Sequence, residues 1–299
     1  MALKAWVVEI DARRIRKPRA GPWDLSLPRS PTAFLARVAA TLLLASFGGA
    51  LGATRAFALD QGDDVSRLFS FGGACVSCEL SGRKLPDAHF VGANFSSAMM
   101  VASDLRGAWF VGANFSKANL ARADLRGANL LGTDFLGTDF TDANLAGIRG
   151  HGADFNGANL TRTSLENASL LGSDLTHVTA HDAIFNGAAL FGANLSNGHF
   201  ERASFKGASL IAANLNGSTF AGADFTGANL THADLAGADL SAAKGLTQAQ
   251  IDQACSANGA TRLPPGLSAR SCHSTGPNVL ILHATHGSGP HFIAEDSGF

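Results

Sequence analysis

From Leu80 to Leu240 every fifth residue comes from one class: of 33 such positions, 30 hold Leu or Phe, and the exceptions are Met100, Gly150 and Ala180. The residue two places earlier is small at 30 of the 33, and the residue between is usually Asn or Asp. Neither the 3.6-residue period of a helix nor the two-residue period of a strand accommodates a strict five. A short extended piece followed by a corner does. In Ala-Asn-Leu the first and third side chains share a face and the middle one points away. Two further residues then turn the chain, and Gly is frequent there, as at Gly107 and Gly127, because it tolerates positive φ. Such a chain is a solenoid, in which each turn buries its apolar residues against its neighbours.

The unit is cleanest in GANFSKANLARADLRGANL, residues 112–130. These residues resemble the pentapeptide-repeat family, A(D/N)LXX, across roughly 78–243. The resemblance implies an all-β fold, a right-handed quadrilateral β-helix with four pentapeptides per coil. The number four has an independent signature: Phe recurs at 95, 115, 135 and 155, at 185, 205 and 225, and at 200 and 220, each series with a spacing of 20. Phe above Phe stacks rings down a core wall. The 33 units make about eight coils, a rod of roughly 40 Å at the usual strand spacing. Two units exchange large for small: Ile148 precedes Gly150, and Val178 precedes Ala180. Each exchange roughly conserves volume, so the core is expected to continue through both.

Charge divides the chain. Residues 1–58 carry a net +6 and the remainder a net −7, which argues against direct nucleic-acid binding by the repeats. Basic residues through Arg37 precede an apolar run at 38–53, and Ala56-Phe57-Ala58 follows. That is the order of a secretory signal, with cleavage expected after Ala58 and a periplasmic or secreted destination. The apolar run is short for a membrane span; retention of an uncleaved leader would instead anchor the chain in a membrane. The expected organisation is a leader at 1–58, an N-terminal cap segment at 59–77, the solenoid at 78–243, a C-terminal cap at 244–272 and a flexible tail at 273–299.

Four cysteines are placed outside the repeats, Cys75 and Cys78 before them and Cys255 and Cys272 after. In an oxidising compartment they are disulfide candidates, since solenoid ends need caps over open strand edges. GLTQAQIDQAC, 245–255, has the pattern of a short helix with Thr247 as N-cap and Gln250 completing a capping box. Similar stretches close many exported members of the family that the repeats resemble.

No catalytic motif survives inspection, and no cofactor or metal is expected. FGGACVSCELSG lacks the strand–turn–helix frame of a phosphate loop. The repeated Asp residues, among them Asp134, Asp154 and Asp174, sit at the outward middle position and are read as solvated surface. His273, His283, His286 and His291 are too loosely spaced for a zinc site. The outward positions are more informative when sorted by face. One column reads Val91, Val111, Leu131, His151, Leu171, Phe191, Ile211, and Gly follows in the first six cases. Trp109 lies on the same face. An aligned apolar stripe requires an explanation: cover by residues 59–74 or 279–283, side-by-side homodimerisation, or a protein partner. A second column, Arg122, Asp142, Arg162, Asp182, Arg202, alternates in sign and suggests an external ion-pair ladder. The expected function is a non-enzymatic exported scaffold that presents the apolar stripe. The alternative is a cytoplasmic DNA mimic that binds gyrase, as some proteins of the resembled family do.

Overall fold

A computed structural model of the chain describes residues 69–255 and 260–269. Their backbone is organised by one rule: a residue bridges, in parallel, the residue 20 positions later, from Ala74↔Asn94 to Asp224↔Lys244. The first turn adds two short parallel strands, β1 (Phe69–Phe71) and β2 (His89–Val91). With five residues per side, an offset of 20 makes a four-sided coil. From Leu80 to Phe225 each inward residue donates its N–H to the following coil, and from Asn94 to Asp239 each middle residue donates to the preceding one, as in Leu85 N to Asp104 O (2.7 Å) and Asp104 N to Arg83 O (2.8 Å). The ladder therefore satisfies backbone groups that would otherwise be orphaned beside a dry core.

The core is as narrow as the repeat implies. Every inward position from Phe95 to Leu240 is buried, and so is every small position from Ala88 to Ala243. Phenylalanines stack in the expected columns: Phe95, Phe115, Phe135 and Phe155 lie with successive ring centroids 4.9, 5.4 and 4.9 Å apart. Phe185, Phe205 and Phe225 form a second stack at 4.9 and 5.1 Å. Hydroxyls that enter the core are satisfied by backbone carbonyls: Thr133 donates to Phe110 O and Thr163 to Phe140 O of the coil before, and Ser103 to Met100 O and Ser173 to Leu170 O within their own coil, all at 2.8 Å.

Corners need a left-handed residue, and two devices make them. The residue two places after the inward one has positive φ throughout, for example 68° at Gly127 and 56° at Arg162. Glycine adopts this conformation without the strain a Cβ introduces. The middle Asn or Asp also turns back to accept the N–H two residues on, as Asp134 does from Leu136 and Asp154 from Asn156, both at 2.8 Å. These side chains are thus corner locks as well as solvated surface.

The ends depart from the expected boundaries in an informative way. The ladder starts at Phe69, ahead of residue 78. Cys75 and Cys78, expected outside the repeats, occupy an inward and a small position of the first coil and are joined by a disulfide. Cys75 donates to Asn94 O, and Cys78 O accepts from Met99 N, as any repeat residue would. Cys255 is disulfide-bonded too; Cys272 lies outside the described residues. At the other end the helix α1 (Gln248–Gln253) starts at Thr247 with both bonds of the capping box formed. Gln250 also reaches the last coil, donating to Phe225 O and Ala228 O. Beyond α1 the chain rejoins the ladder, with Leu235 N bonded to Cys255 O and Leu240 N to Arg262 O.

Gly150 and Ile148 test the packing. A Cβ on Gly150 would stand 3.0 Å from Leu170 Cδ2 and 3.7 Å from Ile148 Cδ1, so Leu170 and Ile148 together close the space that a repeat leucine would take. Gly150→Leu is therefore expected to destabilise the fold by about 1–3 kcal/mol, although it restores the repeat. Adding Ile148→Ala should recover much of the loss. Thermal melts of the two variants decide the matter, and a double variant no more stable than the single one removes the compensation.

Candidate interaction face

The four walls of the coil carry different chemistry outside the same core. On the wall built from residues 88–92, 108–112 and their successors, the N–H of each corner residue bonds the apolar column of the next coil: Gly112 N to Leu131 O, Gly172 N to Phe191 O, Gly192 N to Ile211 O. The column Val91 to Ile211 is thus one continuous edge. None of its seven members is buried, and Leu131 and Phe191 are 46% and 47% exposed. The middle-position column beside it runs through bridges from His89 and Trp109 to Arg149, Ser169, Ala189 and Ser209. Trp109 is 43% exposed and stacks on His89 with ring centroids 4.9 Å apart. The structure therefore places Val91, Trp109, Val111, Leu131, Leu171, Phe191 and Ile211 on one wall. His151, at the centre of the column, pairs its Nε2 with Ser169 Oγ at 2.7 Å. The described part of 59–74 enters the first coil through β1; residues 279–283 lie outside the described residues.

Two other walls hold the ion pairs. Asp104, Arg106, Asp124 and Arg126 form a chain of contacts, 2.7 Å within each Asp–Arg pair and 3.7 Å between Arg106 and Asp124. The alternating column resolves into two separate bidentate pairs rather than a continuous ladder. Arg162 donates to both oxygens of Asp142, and Arg202 to both of Asp182. Each of these two arginines reaches back one coil, which the sign pattern alone could not indicate. These pairs are exposed and contribute little each.

One cluster was missed in the sequence. Glu201 is the only acid in its column, and its carboxylate accepts from the Thr219 hydroxyl at 2.6 Å while facing His181 Nδ1 at 2.8 Å and His199 Nδ1 at 3.8 Å. The His181 contact lacks the alignment of a hydrogen bond, so it is electrostatic and gains strength only when the ring is protonated. Burial works to raise the Glu201 pKa, but the Thr219 bond and a bond from its own backbone, with smaller contributions from His181 and His199, outweigh it, and the carboxyl is held below its ordinary value. The sequence signal was the isolated acid at 201, one coil from His181. Among the described residues no three His, Cys, Asp or Glu side chains are placed to hold a metal ion. No described helix is long and apolar enough to cross a membrane.

The carboxyls of Asp104 and Asp124 are held below the usual range, chiefly by hydrogen bonds from Arg106 and Arg126. A depressed folded-state pKa means that the unfolded chain takes up protons first as pH falls. The contribution is fully present above about pH 4, the unfolded value, and is lost below it as pH falls through the folded values. Melting temperature should fall more gently between about pH 4 and pH 2 in an Asp104→Asn/Asp124→Asn variant, whose amides keep the corner acceptor. An unchanged acid profile contradicts this assignment.

A family model for pentapeptide repeats matches in 8 copies, over residues 75–110, 110–147, 153–190, 183–220 and 208–244, more than half of the chain. No curated protein matches the sequence. Among solved structures, the chain is similar to HetL, a pentapeptide repeat protein involved in heterocyst differentiation regulation in the cyanobacterium Nostoc, at 28% identity over 66% of this chain and 89% of that one, with a TM-score of 0.40. It is similar to QnrB1, a plasmid-mediated fluoroquinolone resistance protein, at 21% identity over 64% and 91% of the two chains, with a TM-score of 0.35. A pentapeptide repeat protein of the Arabidopsis thaliana thylakoid lumen matches at 23% identity over 53% and 69%, with a TM-score of 0.21.

Proposed function

The chain belongs to the pentapeptide repeat family, and we propose that it is a non-enzymatic, exported scaffold whose carboxylate-free wall binds a protein. One observation carries the reading: Trp109, Leu131 and Phe191 are large, exposed and aligned on a wall whose outward residues include no Asp or Glu. Solvation alone does not favour such a stripe, and apolar area is what an interface consumes. The rest of the design supports a scaffold. About eight coils of rigid ladder, closed by α1, hold the stripe in register without drawing on it for folding, because the core is wholly inward. Export is a separate element of the proposal, supported by the basic leader, the apolar run at 38–53 and the Ala56-Phe57-Ala58 site. Disulfide bonding at Cys75–Cys78 and at Cys255 suits an oxidising compartment.

A photo-crosslinking amino acid placed at Phe191 in the producing cell should form an adduct, whereas the same group at Asp142, on another wall, should not. Equal yields at the two positions, or none at Phe191, sink the interaction reading. Mass spectrometry of the native protein should find Leu59 as the first residue. An intact leader on a cytosolic protein removes export and turns attention to gyrase as the partner.

A further inference from the structure

We propose that the occupant of the carboxylate-free wall is a second copy of this chain, packed face to face with the two solenoid axes parallel. The inference rests on the reading of this wall as an interaction surface and names its partner. Three observations on the wall lead to it.

The first is charge. Among the outward positions of residues 88–92 and their successors up to 232 there is no carboxylate and no lysine, and Arg149 is the one full cation. The other three walls all carry Asp or Glu. A partner chosen for opposite charge would find only Arg149 to pair with here. A surface that meets its own copy, by contrast, must avoid like charges across the contact.

The second is shape. The wall carries a ridge and a groove side by side. Leu171, Phe191 and Ile211 form the ridge, and Ser169, Ala189 and Ser209, two residues before them in each coil, form the groove. A two-fold axis parallel to the solenoid exchanges the two columns at the same height, so that the ridge of each copy lies over the groove of the other. At the N-terminal half the same operation sets Trp109 against Val111 and Arg149 against His151. An antiparallel pairing would instead place the same column on itself, ridge on ridge and arginine on arginine.

The third is area. The column from Val91 to Ile211 spans six coil spacings, or about 29 Å. With its margins the wall offers on the order of 600 Å² per copy, or about 1,200 Å² in total, the lower end of what specific interfaces bury. Reversible association follows, dependent on concentration.

Sedimentation of the purified mature chain from about 1 to 200 µM should show a monomer–dimer equilibrium. Leu131→Asn/Phe191→Asn should weaken it at least thirtyfold, roughly the loss of one hot spot. Ala189→Arg, which removes no apolar side chain, should abolish it by filling the groove. The fold should accept this change, because Arg149 already occupies the same column. Leu136→Asn, 41% exposed on the next wall, should leave the equilibrium unchanged. Unchanged melting temperatures confirm that each variant folds. A monomer at all concentrations overturns the proposal, as does a dimer indifferent to Ala189→Arg or one broken by Leu136→Asn. If the purified chain is monomeric while Phe191 crosslinks in the cell to a different protein, the second copy is excluded and the interaction wall stands; if Phe191 crosslinks to nothing, both fall.

Discussion

The offset of 20 residues in the parallel backbone ladder is the constraint on which the rest of the molecule depends. Bonds such as Leu85 N to Asp104 O and Asp104 N to Arg83 O fix each coil directly over the last. That offset puts Phe95 under Phe115 and Leu170 against Gly150, and it aligns every outward column. A slip of one unit would bring an inward residue onto an inward residue of a different wall, so the core would survive while the Phe stacks and outer columns broke. Register is therefore specified by the ring stacks and by outer pairs such as Asp142–Arg162, more than by hydrophobicity alone.

Because the inside is filled by a repeat, the outside is free to vary. Leu and Ala face inward on all four walls, and the three outward positions of each unit carry what distinguishes one wall from the next. Two walls use them for Asp–Arg pairs, while the wall from Val91 to Ile211 keeps them free of carboxylates and in part apolar. Stability thus rests on the inward residues and the ladder, which is why surface changes at Phe191 are expected to leave folding nearly intact.

The ends show how local sequence is overruled. Cys75 and Cys78 do not match the repeat, yet they occupy repeat positions, because a disulfide inside the first coil fills the place of the large and small side chains found elsewhere. At the other end, α1 replaces one side of a coil, and the bridge spacing grows from 20 to 21 at Asp234↔Cys255 and 23 at Asp239↔Arg262. The capping box Thr247–Gln250 was legible because it is a contact between residues three apart. The reach of Gln250 to Phe225 O and Ala228 O was not, since nothing local encodes it.

The sequence by itself determined the coil: a period of five, stacked at 20, with Leu and Phe inside and the stripe from Val91 to Ile211 on one face. Those properties are periodic, and a period converts position in the chain into position in space. Only the tertiary structure decided which neighbours an outward side chain meets. Arg162 turns back to Asp142 rather than on to Asp182, Glu201 gathers Thr219 and two histidines, and Asp134 locks its own corner. Side-chain direction at a left-handed corner depends on φ, ψ and rotamer, and a residue spacing carries none of these.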